Sequence, residues 1–290
     1  MRRASRLAMV CLAVLMFAGQ AQAGPLFGVD IFTNQLLSID PTTGAATNIG
    51  SLGPGVLDIA GLAFDSNGNL FGIDVSGQTS RTDSRLLSID PTTGAATIIG
   101  PLNFSPGIAG LAFDSNDTLF GADFFTDRLV TINTTTGAAT DIGPLGSPRR
   151  QGFEGLAFDA NDTLFGVNIR TRQLSTINTT TGLATNIGPL GSPFVQGLAF
   201  DSNGILFGAD IATDRLLTIN TTTGAATIVG SLRSPGLEGL AFQPNPPAAA
   251  PAAVPEPSSI VLFCLGFVGM AVGAVHRRRR NRQAGQSART

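Results

Sequence analysis

The residue in front of a recurring Gly-Leu-Ala-Phe segment changes its chemistry along the chain. It is Ala60, Ala109, Glu154, Gln196 and Glu238 in turn. Two carboxylates with an amide between them in the series can hold a cation, or act as an acid and base pair, if the fold brings them together. Arg149, Arg150 and Arg233 stand near them in the sequence. A solvated polar rim is the plainer reading of the same residues. Three other polar sets recur rather than change. Asp65, Asp114, Asp159 and Asp201 each open an Asp-x-Asn-(Gly/Asp) loop. Asp30, Asp74, Asp123, Asn168 and Asp210 follow a Leu-Phe-Gly segment, and Asp40, Asp90, Asn133, Asn178 and Asn220 stand just before Thr-rich turns. Repetition in every unit suits a structural task, side chains that cap turns. The Asp-x-Asn loops resemble calcium loops at first sight. An EF-hand needs a bidentate Glu eleven positions after the first ligand, and those positions hold Ser76, Phe125, Arg170 and Ala212. Hairpin turns account for the Asp and Asn, while a calcium site of another build, from Asp side chains and carbonyls, stays open.

What is missing narrows the chemistry further. The chain has no Trp, no Tyr and no Lys, and residues 24–254 contain no His, Cys or Met either. That segment therefore has no disulfide and no thiolate nucleophile. It cannot build a zinc or copper site of the usual ligands, a Ser-His-Asp or Cys-His apparatus, or a Lys Schiff base. No residue is assigned as catalytic, no metal site is assigned, and calcium is the one cofactor left in view. Between residues 24 and 254 there are 9 Arg against 19 Asp plus Glu, a balance of −10. Nucleic acid, whose phosphates demand a basic patch, is not an expected partner.

The elements that must position these residues come from an internal repeat. Leu-Phe-Gly begins at Leu26, Leu70, Leu119, Leu164 and Leu206, with spacings of 44, 49, 45 and 42 residues. Gly-Leu-Ala-Phe begins at Gly61, Gly110, Gly155, Gly197 and Gly239, and Thr-Thr-Gly at Thr42, Thr92, Thr135, Thr180 and Thr222. Each unit reads as four short strands: Gly-Leu-Ala-Phe-Asp, then 69–74, 85–90 and 95–100 in the first complete copy, joined by Asn, Asp, Gly and Pro turns. Four strands in about 42–50 residues is one propeller blade. The order of the segments predicts ring closure. The array opens on a second strand, at Leu26, and ends on a first strand, at Gly239. The last segment can complete the first blade and remove the open edges. The expected fold is all-β, a five-bladed propeller over residues 24–243. A solenoid is the alternative and would need polar caps. The ten Phe of the repeated segments, from Phe27 to Phe242, are expected between blades.

The two ends read as addresses. Arg2, Arg3 and Arg6, an apolar run over 7–18 and the small residues Ala21 and Ala23 form a signal peptide over 1–23, cleaved before Gly24. A membrane anchor would need a longer apolar run. Residues 244–253 are a Pro/Ala linker. Val254, Pro255, Glu256 and Pro257 follow, then an apolar run over 260–275, then Arg277, Arg278, Arg279 and Arg280 with Arg282, and a tail over 283–290. The run suits a short membrane helix with the Arg cluster in the cytoplasm and the middle domain outside.

This tail closely resembles the PEP-CTERM sorting signal of Gram-negative bacteria over 254–282. The resemblance implies export through the inner membrane, transient anchoring, and removal of the tail near Pro-Glu-Pro by an exosortase-type membrane protease. It also implies delivery to the cell surface or a biofilm matrix, since such systems accompany exopolysaccharide production. A permanent single-span anchor is the alternative. The repeat itself resembles the NHL type, carried by Gly197 to Gly204 (Gly-Leu-Ala-Phe-Asp-Ser-Asn-Gly) and Leu206 to Asp210 (Leu-Phe-Gly-Ala-Asp). The Leu-Leu-Ser-Ile-Asp and Thr-Thr-Gly parts depart from it. In NHL-like and gluconolactonase-type propellers this end of the inner strand faces the channel mouth. The resemblance therefore implies that Glu154, Gln196 and Glu238 cluster there on adjacent blades. The gluconolactonase-type metal set has no residue-by-residue match here. The expected function is a non-enzymatic module binding exopolysaccharide or a surface protein. The alternatives are a metal-dependent hydrolase or lyase using Glu154 and Glu238, and a structural spacer.

Overall fold

The computed structural model describes residues 24–56, 58–75, 84–104, 107–146 and 152–245. The signal peptide over 1–23, most of the linker, the sorting segment with its apolar run, and Arg149 and Arg150 lie outside the described residues. The first blade contributes β1 (Leu26–Asp30), β2 (Gln35–Ile39) and β3 (Ala46–Ser51). The second is β4 (Ile59–Phe64), β5 (Leu70–Asp74), β6 (Arg85–Ile89) and β7 (Ala96–Pro101). The third is β8 (Ile108–Phe113), β9 (Leu119–Asp123), β10 (Arg128–Ile132) and β11 (Ala139–Pro144). The fourth is β12 (Phe153–Phe158), β13 (Leu164–Asn168), β14 (Gln173–Ile177) and β15 (Ala184–Pro189). The fifth is β16 (Val195–Phe200), β17 (Leu206–Asp210), β18 (Arg215–Ile219) and β19 (Ala226–Ser231), and the last strand is β20 (Leu237–Phe242). Among the described residues they form five four-stranded antiparallel sheets, and one of them has the order β20-β1-β2-β3. The last strand thus completes the first blade, as the phase of the repeat predicts. All strands lie within 24–245, which falls inside one compact unit ending at Asn245.

The inner strands β4, β8, β12, β16 and β20 neighbour one another in turn, with β20 beside β4. They begin two residues ahead of the Gly-Leu-Ala-Phe segment, at Ile59, Ile108, Phe153, Val195 and Leu237. The physical reason is burial: all five of these side chains are at most 2% exposed, so the apolar face of the strand extends past the repeated motif. The inner strands pack too closely for side chains at the repeated glycine. A Cβ on Gly155 would lie 2.5 Å from the carbonyl oxygen of Gln196 in the next blade, a distance only glycine avoids.

Between blades the second-strand Phe of one meets the inner-strand Phe of the next. Phe27 packs on Phe64, Phe71 on Phe113, Phe120 on Phe158, Phe165 on Phe200 and Phe207 on Phe242, all with ring centroids 5.3–5.4 Å apart at steep angles. This is the favoured edge-to-face arrangement of aromatic quadrupoles. Truncating Phe165, 6% exposed, should cost about 3–5 kcal/mol. Urea unfolding of Phe165→Ala checks this; a loss below about 1 kcal/mol would mean that the ring is not a core element.

Candidate functional site

The three repeated polar sets are occupied in building turns. Asp65 Oδ1 accepts hydrogen bonds from the backbone N–H of Asn67 at 3.0 Å and Asn69 at 2.7 Å. Asp114, Asp159 and Asp201 do the same in their own loops. Asp30, Asp123, Asn168 and Asp210 accept from two N–H groups of the following loop, and Asp74 pairs with Arg85. Asp40, Asp90, Asn133, Asn178 and Asn220 cap the Thr-rich turns. The Thr92 hydroxyl and N–H hold the Asp90 carboxyl down at about 2. The loops that the first set opens also link blades: Ser66 donates through N–H and hydroxyl to Asp117 of the next loop, at 2.8 and 2.6 Å.

The residues that change are brought together by a backbone irregularity. Every inner strand shifts register against its neighbour at this point, so one extra residue bulges out of the ladder. In β12 the register jumps from Phe153 to Gly155 and in β16 from Val195 to Gly197, which leaves Glu154 and Gln196 as the bulged residues. A bulge bends the strand and re-aims a side chain. Here Gln196 Nε2 donates to Glu154 Oε2 across the blade boundary at 2.5 Å. The other amide atom, Gln196 Oε1, is buried without a hydrogen-bond partner. Glu238 stands at the same place in β20, one residue before the bulged Gly239. Burial pushes its carboxyl up to about 8, and the negative charges of Asp58 and Glu154 push in the same direction. Burial also raises Glu154, against the hydrogen bond from Gln196 and the field of Arg170. Asp58 is raised by its own burial and by the charge of Asp74.

Glu154 and Gln196 thus join across a blade boundary, and Glu238 on the next inner strand is near enough to feel the charge of Glu154, all at the end of the inner strands that we call the mouth. The structure adds two residues that the sequence reading did not place there, Asp58 and Arg170. Among the described residues, Arg170 is a cation whose field reaches Glu154. A signal for Asp58 exists. It precedes β4 where the other blades have Gly107, Gly152, Phe194 and Gly236, and these five positions accept equivalent backbone hydrogen bonds. Toward the opposite end of the inner strands, the Leu-Ala-Phe segments of all five line an open pocket of about 100 Å³. Among the described residues no group of three His, Cys, Asp or Glu side chains is gathered to hold a metal ion. The mouth offers a protonated carboxyl that can donate, an amide oxygen that can accept, and a second carboxyl bound to the amide. That set suits hydroxyl groups of a polar ligand.

Residues 253–280 match the PEP-CTERM protein-sorting motif. The motif implies an exported chain that an exosortase membrane protease processes, anchored transiently in the membrane before surface display. No curated protein matches the chain. Among solved structures, the nidogen/laminin complex aligns at 14% identity over 77% of this chain and 98% of that chain, with a TM-score of 0.53. A Bacteroides thetaiotaomicron protein of unknown function aligns at 15% identity over 72% of this chain and 58% of that one, with a TM-score of 0.50. Virginiamycin B lyase from Staphylococcus aureus aligns at 15% identity over 72% and 71%, with a TM-score of 0.45. At these identities the likeness is one of fold.

Proposed function

We propose that this exported propeller is a non-enzymatic binding module for exopolysaccharide at the cell surface or in the extracellular matrix. One observation carries the reading. The Asp and Asn side chains repeated in every blade are used in the turns of their own blades, whereas Glu154, Gln196 and Glu238 break the repeat and meet at one mouth with hydrogen-bonding capacity to spare. A buried amide oxygen without a partner is costly unless a ligand or water satisfies it. The sorting motif supports the setting, since it implies export and surface display. Calorimetric titration of the 24–253 fragment with exopolysaccharide from its own host should give a saturable signal. Gln196→Ala should weaken it by about 1–2 kcal/mol, the scale of a lost buried hydrogen bond. A flat trace would move the function to a surface protein or a spacer role.

A second reading has one observation in its favour. Glu238 with its carboxyl near 8, close enough to Glu154 for their charges to interact, has the properties of a general acid beside a base. A hydrolase or lyase on this fold would show turnover by the purified fragment, abolished in Glu154→Ala. Turnover unchanged in that variant would exclude these carboxylates.

A further inference from the structure

Blade four departs from the repeat on the same face as the mouth. The loop after β13 presents Arg170, Thr171 and Arg172, all exposed. Arg172 occupies a position shared with Asn34, Asp127 and Asp214, since each of these carbonyls accepts the N–H of a buried Leu. In blades one, three and five the side chain turns inward: Asn34 Nδ2 donates to the Gly53 carbonyl at 3.2 Å, Asp127 is 6% exposed, and Asp214 accepts from Ser234 N–H at 2.9 Å. All four hold a positive φ, 54° at Asn34, 58° at Asp127, 56° at Arg172 and 54° at Asp214. Asn and Asp tolerate that conformation and Arg does not favour it. Blade four therefore keeps a strained backbone while exchanging the inward polar side chain for an exposed cation. The Arg172 carbonyl keeps the hydrogen bond from the Leu190 N–H at 2.9 Å, so the backbone serves the same turn while its side chain points elsewhere.

The neighbouring blade makes a matching departure. Phe194, 41% exposed, stands where three other blades have Gly107, Gly152 and Gly236. These two exceptions face each other. Phe124, Ile169, Arg170, Thr171, Arg172 and Phe194 line one groove of about 580 Å³. On a domain whose balance is −10, a groove bordered by the exposed guanidinium of Arg172 selects an anion by contrast with its surroundings.

We infer that this groove binds the carboxylate-bearing sugar residues of an acidic polysaccharide, a uronate unit. The inference rests on the binding function proposed above and names the ligand class. A guanidinium grips a carboxylate through paired N–H donors. The flat C–H face of a pyranose ring packs on the negative face of a Phe ring, and one uronate residue carries both features. An acidic peptide is the less suited occupant. Peptides dock on such folds by pairing with a free strand edge, and here the N–H groups of Arg170 and Thr171 are already donated to Asn168 Oδ1, at 3.1 and 3.0 Å.

The test uses the 24–245 propeller, oligogalacturonate as the acidic probe, dextran oligomers as the neutral one and poly-glutamate as the acidic peptide, each followed by calorimetry. Arg172→Asn installs the residue of blade one (Asn34) and Phe194→Gly that of three other blades (Gly107, Gly152 and Gly236), so folding is protected. The expected result is saturable binding of oligogalacturonate, no binding of dextran, and at least a tenfold loss in each variant. The Tm of Arg172→Asn should equal or exceed that of the parent. No binding of oligogalacturonate by the parent, equal binding by both variants, or equally tight binding of poly-glutamate would each overturn the assignment. If the host's own polymer binds parent and variants alike, the proposed binding function stands and this groove is not its site.

Discussion

A chain that ends at Gly236 should fail to fold. It keeps nineteen of the twenty strands and loses only β20 (Leu237–Phe242). In an open array the loss of a terminal strand is a local matter, because each unit contacts only its neighbours. In a closed ring the same strand does three things at once. It completes the sheet of the first blade beside β1, it supplies the fifth wall of the axis between β16 and β4, and it brings Phe242 against Phe207. Leu237 and Leu240 are 0% and 2% exposed, and burial of each is worth about 1.5–3 kcal/mol. The β1 residues that pair with this strand, among them Leu26 and Val29, both 0% exposed, would become an open edge. The sum is comparable to the whole stability of a domain, about 5–15 kcal/mol. The expected result is the loss of a cooperative thermal transition in the 24–236 fragment, with aggregation through the free edge of β1, while the 24–245 fragment unfolds sharply. A truncated fragment that kept a cooperative transition within a few degrees of the longer one would mean that the ring is not closed by this strand.

That closure was legible because it follows from order alone: a repeat that opens on its second strand and ends on its first can close only by pairing the two. The Phe pairs were legible too, since a bulky ring recurring once on each of two adjacent strands has nowhere to go but the space between sheets. The roles of the repeated Asp and Asn followed from their turn positions. The site was legible in part. Glu154, Gln196 and Glu238 announce themselves by breaking a column of the repeat. The bulge that aims Glu154 and Gln196 does not, because inner strands buried on both faces show no alternation of apolar and polar side chains for an extra residue to break. Asp58 was hidden by distance, as it lies in the second blade and reaches Glu238 only because the ring brings β4 beside β20. Arg170 was hidden by its loop, whose course is set by Asn168 capping the N–H groups of Arg170 and Thr171. Irregular backbone and ring closure carry the site, and both are tertiary facts.

The mouth also makes stability depend on pH in an unusual direction. Glu238 has an ordinary value of 4.5 when unfolded and about 8 in the folded chain. Between those values the folded protein holds a proton that the unfolded chain has released. Stability then falls as pH rises through this window, by an amount on the order of a few kcal/mol for this group. Glu154 and Asp58 are raised as well and act with the same sign. The capping aspartates Asp40, Asp90, Asp117 and Asp162 are lowered and act oppositely. Their contribution is present above the ordinary value of 3.8 and is lost as pH falls below it, so the two effects occupy separate ranges. Glu238→Gln keeps the shape and hydrogen bonding of the neutral carboxyl and removes the proton. The variant should match the parent at about pH 5 and exceed its stability at about pH 9, with a shallower slope between them. Parallel curves for the two proteins across that range would mean that Glu238 titrates normally and that the mouth is wet and unstrained. The same titration bears on function. A carboxyl that donates a hydrogen bond to a ligand hydroxyl while protonated cannot do so once ionised, so ligand binding at the mouth should weaken as pH rises through about 8 and Glu238→Gln should flatten that dependence. A general acid would instead lose turnover over the same range and would lose it at every pH in Glu238→Gln, since an amide carries no proton to give. One substitution, measured for binding and for turnover across pH, therefore separates the two uses of the same cluster.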